Sequence, residues 1–255
     1  MTSSQLTNWW AAQAMIDSHT HVNAVIAGTS FQVRGPIGVS QHGEGINDAP
    51  FQVEFLALDA DPEEVAGAIK AYTPKPRINF VLDVFHEERN PTDLADKYRT
   101  FGLEYRRTES IFGVDLPQDK AGDKKIEIHR VSHVEELATV NPALQLEGET
   151  IAASTVDNED IRNYYAVLDE KIAGWAQLVT VNEEAGYVSQ LYTLTAYRRR
   201  GIGLALIDRI HSAGWKMGKK HILLIPSEIG KGLYAKYGYR PLLYFSVFRP
   251  STFQE

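Results

Sequence analysis

Residues 190–205 read Gln190-Leu191-Tyr192-Thr193-Leu194-Thr195-Ala196-Tyr197-Arg198-Arg199-Arg200-Gly201-Ile202-Gly203-Leu204-Ala205. A strand-like run gives way to three arginines and two glycines, and an apolar stretch with helical periodicity follows. Glycine lets a turn close tightly and lets backbone N–H groups approach a ligand. A helix start exposes N–H groups without helical partners at the positive end of its dipole. Strand, Arg-x-x-Gly-x-Gly and helix in that order can hold a phosphate or pyrophosphate, and the arginines add charge.

The distribution of charge agrees with a local anion site. The chain carries 26 Lys and Arg against 33 Asp and Glu, a formal net charge of −7. Residues 1–124 hold 11 basic and 18 acidic side chains, whereas residues 125–255 hold 15 of each. From Arg198 to Arg249 there are 11 Lys and Arg, and only Asp208 and Glu228 oppose them. One basic stretch in an acidic protein points to a discrete anion rather than to nucleic acid. Cysteine is absent, which excludes thiolate nucleophiles, Cys-ligated zinc and disulfide scaffolds. No apolar run approaches a membrane span, and the first residues lack a basic-then-apolar signal pattern. A cytoplasmic protein without membrane or nucleic-acid partners is expected.

His19-Thr20-His21 would place two imidazoles on one face of a strand. No third ligand has suitable spacing, so no metal is expected.

The elements that must position these residues follow from periodicity and turn chemistry. Strands are expected over 126–130, 161–168, 172–181, 186–195, 222–225 and 242–248. The middle three are joined by short turns at 169–171 and 182–185, as in an antiparallel meander. Ser132-His133-Val134-Glu135 opens a helix with a capping-box pattern. Ile202, Leu206, Ile210 and Ala213 recur at about 3.6 residues, giving a helix that Gly218 ends. Ser227 caps a further helix running to Tyr237, and Gly238 stops it. In the first half, helices are expected around 5–18, from Asp61-Pro62-Glu63-Glu64 onward and over 91–98. Strands are expected over 31–34, 52–58, 77–85 and 104–114. The polar run from Leu116 to Lys124 reads as a linker between domains 1–115 and 125–255.

Arg198-Arg199-Arg200-Gly201-Ile202-Gly203 resembles the Arg/Gln-x-x-Gly-x-Gly/Ala signature of the GNAT superfamily of acyl-CoA-dependent N-acyltransferases. Leu233-Tyr234-Ala235-Lys236-Tyr237-Gly238-Tyr239 is similar to that family's Leu-Tyr-x-x-x-Gly-Phe/Tyr segment. The resemblance covers about residues 126–248. It implies an α/β (α+β) fold with a mixed, largely antiparallel sheet flanked by helices, and an N-acetyltransferase that takes acetyl-CoA as co-substrate and a primary amine as acceptor. It assigns Leu191, Tyr192 and Thr193 to the pantetheine arm. Arg199, Arg200, Gly201, Ile202, Gly203 and Leu204 go to the pyrophosphate, and Arg198, which opens the signature, to the cofactor. Tyr234 becomes the proton donor to the departing thiolate. Ser227 stands where many relatives have a cofactor-contacting asparagine. No base is assigned: Ile222 occupies the position of the glutamate some relatives use, and Glu149, Glu183, Glu184 and His133 are only available. A non-catalytic acyl-CoA-binding regulatory module is the alternative, and it would account for the missing base.

Tyr98-Arg99-Thr100-Phe101-Gly102-Leu103 repeats Tyr234–Tyr239 at an offset of 136 residues, within a similar order of elements. Two tandem GNAT-like copies are therefore expected, with an unrelated accessory α/β domain as the alternative for residues 1–115. The first copy is degenerate, because Asp59-Ala60-Asp61-Pro62-Glu63-Glu64 would repel a pyrophosphate. An apolar face including Phe80, Leu82, Val84 and Phe112 would let it pack on the second copy, shape the acceptor cleft and keep the chain monomeric as an internal pseudo-dimer. Its acidity suits a cationic acceptor such as a polyamine, aminoglycoside or peptide amine.

Overall fold

A computed structural model describes residues 9–42, 52–58, 60–72, 79–89, 93–117 and 126–251. The chain divides into two compact units: residues 1–13, 27–112 and 241–255 form the first, and residues 14–26 and 113–240 the second. A single cut at 116–124 therefore does not separate them. The expected domain 125–255 lacks residues 14–26 of its own unit and carries 15 C-terminal residues that count to the other. Of the expected linker, residues 118–124 lie outside the described residues.

The first unit contains β1 (Ser30–Arg34), β2 (Ile37–Gln41), β3 (Val53–Leu58), α2 (Pro62–Tyr72), β4 (Phe80–His86), α3 (Leu94–Arg99), most of β5 (Leu103–Asp115) and nearly all of β11 (Arg240–Pro250). Its strands run β1-β2-β3-β4-β11-β5. The pairs β1 with β2 and β2 with β3 are antiparallel, β3 with β4 is parallel, and β4 with β11 is antiparallel. Helix α2 makes the crossover that a parallel pair requires. Pro62 opens it, Glu63 and Glu64 sit at its positive end, and Lys70 lies in its last turn. Val65 and Ile69, one helical turn apart, are buried in a core with Phe55, Leu82, Tyr98 and Phe248. Phe80, Leu82 and Val84 belong to this core, so the apolar surface expected of them serves the unit's own interior. Phe112 is half-buried. Strand β2 has no counterpart in the sequence reading.

The second unit holds β6 (Glu127–Arg130), α4 (Leu137–Gln145), β7 (Ile161–Leu168), β8 (Lys171–Val179), β9 (Ala185–Thr193), α5 (Ile202–Lys216), β10 (His221–Leu224) and α6 (Lys231–Lys236). It also takes residues 14–26 of α1 (Trp9–Ala27). The strands run β10-β9-β8-β7-β6, with the end of β5 beside β10. From β6 to β9 every pair is antiparallel, as the short turns predict for β7 to β9, and β9 with β10 is parallel. Helix α5 crosses between that parallel pair. Ile202, Leu206, Ile210 and Ala213 are all buried, and Gly218 follows the helix at φ +78°. The capping box is closed one residue later than read: Glu136 accepts from the backbone N–H groups of Ser132 and His133 at 2.9 and 3.0 Å.

Both units thus run antiparallel strands into one parallel pair crossed by a helix, followed by a short helix ending at a left-handed glycine. Gly102 after α3 has φ +75° and Gly238 after α6 has φ +83°. The mixed, largely antiparallel α/β fold is as expected, and its element order repeats. His19-Thr20-His21, read as strand, lies inside α1. Residues two apart on a helix point about 200° apart at 3.6 residues per turn. Among the described residues no group of His, Asp or Glu could hold a metal, and no helix is long and apolar enough to cross a membrane.

Candidate active site

The site begins where β9 outruns β10. Strand β10 pairs only with Ala185–Val188, although β9 continues to Thr193. On its other edge β9 stays paired with β8 as far as Thr193 opposite Gly174. The register with β8 slips between Gln177 and Leu178, leaving Ser189 as an extra residue on β9. A bulge re-aims backbone groups and bends the strand. Residues 189–193 therefore offer one edge of N–H and C=O groups with no strand partner among the described residues. Such an edge can take up an extended ligand by main-chain hydrogen bonding.

The chain leaves that edge through a short 3-10 turn, Thr195–Tyr197, pinned by Glu147 from beyond α4. Its carboxylate accepts from the Thr195 backbone N–H at 2.8 Å, the Thr195 hydroxyl at 2.8 Å and the Tyr192 hydroxyl at 2.9 Å. The Thr195 hydroxyl, chiefly, holds the Glu147 carboxyl below the usual carboxylate range. Arg198 donates to the Thr193 carbonyl and the Tyr192 hydroxyl, both at 3.2 Å. Arg200 pairs with Asp169 at 2.8 Å. Asp169 is held there by the β7–β8 hairpin, whose two turn residues, Asp169 and Glu170, are both left-handed at φ +52° and +61°. Arg199, also left-handed at φ +62°, is exposed.

Helix α5 then starts without a side-chain cap. Its N-cap is Gly201 at φ +86°, a conformation that costs other residues about 1–2 kcal/mol. The N–H groups of Ile202, Gly203 and Leu204 have no helical acceptor. Gly203 lets the neighbouring elements close in. A Cβ there would lie 3.3 Å from Leu233, 3.7 Å from Leu191 and 3.7 Å from the Thr193 hydroxyl. Open strand edge, uncapped helix start and the first turn of α6 thus meet around one glycine.

Tyr234 is the residue after Leu233 on α6. It is buried against Tyr239, with ring centroids 5.5 Å apart, and burial pushes its pKa up to about 12. Ser227 lies just ahead of α6. Its hydroxyl accepts from the Gly230 N–H at 3.2 Å, and its carbonyl accepts from Gly230 and Lys231. The hydroxyl is already used within the turn, and the helix begins at Lys231 rather than at Ser227.

Leu191, Thr193 and Gly203 are brought together, with Leu233, which the sequence motif includes but assigns no role, as a neighbour. Ile202 is buried beneath the turn, and Leu204 is half-buried. The three arginines diverge. Arg198 folds back onto Tyr192, Arg200 onto Asp169, and Arg199 points outward. The possible bases are spoken for in part: Glu149 accepts from the Trp175 indole at 3.1 Å, and Glu184 pairs with Lys220 at 2.5 Å. Ile222 is fully buried. Glu147, Asp169 and the bulge at Ser189 escaped the sequence reading. Only the Asp169-Glu170 hairpin turn left a local signal.

Residues 160–241 match the family model described as an acetyltransferase (GNAT) domain. No curated protein matches the chain. By structure, the chain is similar to a GCN5-related N-acetyltransferase from Kribbella flavida, with TM-score 0.72 and 18% identity over 97% of this chain and 96% of that one. It is similar to a GCN5-related N-acetyltransferase from Sphaerobacter thermophilus, with TM-score 0.58 and 14% identity over 84% and 76%. A putative GNAT-family acetyltransferase from Novosphingobium aromaticivorans aligns with TM-score 0.54 and 15% identity over 96% of both chains. At these identities the likeness is one of fold.

Proposed function

We propose, from the match of residues 160–241 to the GNAT acetyltransferase family model, that the protein transfers an acetyl group from acetyl-CoA to a primary amine. The observation that carries this reading is the alignment of the open β9 edge with the uncapped start of α5. An extended amide-bearing arm would pair with residues 189–193, and its pyrophosphate would reach the N–H groups of Ile202, Gly203 and Leu204. Arg198, Arg199 and Arg200 supply charge, and Leu191, Tyr192 and Thr193 supply the backbone. In the reaction the amine nitrogen forms a bond to the thioester carbonyl carbon, the carbon–sulfur bond breaks, and the ammonium proton passes to water.

Tyr234 donates a hydrogen bond to the departing sulfur. Full transfer from a phenol at about 12 to a thiolate with an ordinary thiol pKa of about 8.5 is uphill by about 5 kcal/mol. The raised pKa therefore supports sharing the proton rather than surrendering it. Ser227 serves this reading as a turn residue.

Calorimetric titration with acetyl-CoA and CoA, followed by a panel of amines assayed for CoA release, tests the proposal. Binding with turnover is expected. No binding at millimolar acetyl-CoA sinks the reading. Binding without turnover on any amine favours a regulatory acyl-CoA-binding module, which the lack of an evident general base would suit.

A further inference from the structure

A second concentration of positive charge lies well away from the uncapped turn of α5. A cavity of about 180 Å³ in the second unit is lined by Arg130, Arg162, Tyr164, Arg209, Ala213, Lys216 and Met217. Its construction follows from register. Arg162 and Tyr164 are alternate residues of β7 and share a face. Arg130, the last residue of β6, is the cross-strand partner of Tyr164. Arg209, Ala213 and Lys216 recur at helical spacing on α5. At 1.5 Å per residue, these positions lie roughly 10–20 Å along α5 from its first turn.

Four cationic side chains thus converge, and no carboxylate lines the cavity. None of the four makes an ion pair among the described residues. Arg162 and Arg209 each bury an Nε group that has no hydrogen-bond acceptor among the described residues. Arg209 lies over the ring of Tyr164, its guanidinium carbon 5.3 Å from the centroid. That contact orients the guanidinium but satisfies none of its N–H groups. A buried donor without an acceptor costs about 1–3 kcal/mol, and like charges gathered in one cleft add repulsion. A doubly charged oxyanion resolves both costs at once. Guanidinium groups match a phosphate in planar, bidentate geometry. The cavity far exceeds the roughly 10–15 Å³ that admits one water, which leaves room for a phosphoryl group.

We propose that this cavity is a binding site for a phosphate group, either free as phosphate or pyrophosphate or carried as a small phosphomonoester, separate from the site of the acyl donor. The test is an NMR titration of arginine-Nε-labelled full-length protein with inorganic phosphate, pyrophosphate and glycerol phosphate, with calorimetry in parallel. At least one of the three is expected to shift the Nε signals of Arg162 and Arg209 and to saturate. Arg162→Gln and Arg209→Gln should each weaken that binding about tenfold or more. The exposed Lys216→Gln, which leaves the packed arginines in place, should weaken it several-fold. The strongest of the three ligands distinguishes a free from an esterified phosphate. The proposal is overturned if no ligand moves the two Nε signals, if only the backbone amides of residues 198–204 respond, or if Lys216→Gln and both arginine variants bind as the parent does.

Discussion

Helices α2 and α5 occupy the same place in their units, each crossing between the strands of a parallel pair, yet their first turns are opposite in kind. At α2 the Asp61 carboxylate accepts from the backbone N–H groups of Glu63 at 2.8 Å and Glu64 at 3.4 Å. The anion position of that helix is filled by the chain's own side chain, and two more carboxylates follow. At α5 the cap is a left-handed glycine with no side chain, and three arginines precede it. One helix start is closed and negative, the other open and positive. Under the proposed function this difference would leave one acyl-donor site per chain, and it rests on a handful of residues between strand and helix. The short helices α3 and α6 diverge similarly. Tyr98 is completely buried against Phe248, with centroids 4.7 Å apart, and its hydroxyl has no partner among the described residues. Tyr234 keeps some exposure.

The comparison breaks most sharply at Gly203. Gly203→Glu puts a side chain into the 3.3 Å approach to Leu233 and a negative charge at the open helix start. Affinity for acetyl-CoA should fall at least about 100-fold, near 2.7 kcal/mol, with far-ultraviolet circular dichroism unchanged. Calorimetry on the same samples should give one site per chain for the parent. Two sites would show that the closed turn of α2 is no barrier.

The paired tyrosines come next. Tyr234→Phe should lower kcat about 10- to 100-fold and change KM for acetyl-CoA less than threefold. Tyr98→Phe should leave both constants unchanged and add up to about 1 kcal/mol of stability by removing an unsatisfied hydroxyl. Equal kinetic effects of the two changes would argue against a role for Tyr234 at the sulfur.

A smaller effect concerns the parallel pair of the first unit, which buries Glu54 on β3 and Asp83 on β4. Burial first, and the Glu54 carboxylate second, raise the Asp83 pKa well above its ordinary 3.8. The unfolded chain then releases this proton near 3.8 while the folded chain keeps it to higher pH, so stability falls as pH rises through that window. Asp83→Asn should raise stability at neutral pH by roughly 1–3 kcal/mol and flatten the dependence above pH 4. Urea unfolding at several pH values measures both. A variant less stable than the parent at pH 7 would contradict this account.

Smallest of all, Asp61→Ala should destabilise the protein by about 1 kcal/mol through loss of the cap, read as a lowered urea midpoint. The number of acetyl-CoA sites should stay at one, since Glu63 and Glu64 remain.

Much of this was legible without coordinates. The turn at 198–203, the helix behind it, the meander of β7 to β9 and the glycines that end α5 and α6 depend on spacing over a few residues. Glycine at positive φ, apolar residues at 3.6 spacing and short hairpin turns act locally, so the residue types carry the information. The carboxylates at the start of α2 were equally plain, and so was their conflict with a pyrophosphate. Local patterns misled where they allow two readings: His19-Thr20-His21 suits a strand as well as the helix it occupies.

The remainder was decided by tertiary structure. No local rule assigns residues 241–255 to the first unit, because strand pairing is chosen among all available edges. Glu147 reaches Thr195 across 48 positions, and Asp169 meets Arg200 only because a hairpin tip happens to face the turn. The cavity formed by Arg130, Arg162, Arg209 and Lys216 gathers charges from two strands and a helix that no sequence window spans. Propensity and capping extend over one or two turns of chain, whereas register and packing set which distant side chains share a space. The sequence by itself determined a helix start able to hold an anion, and tertiary structure decided what surrounds it and where else charge collects.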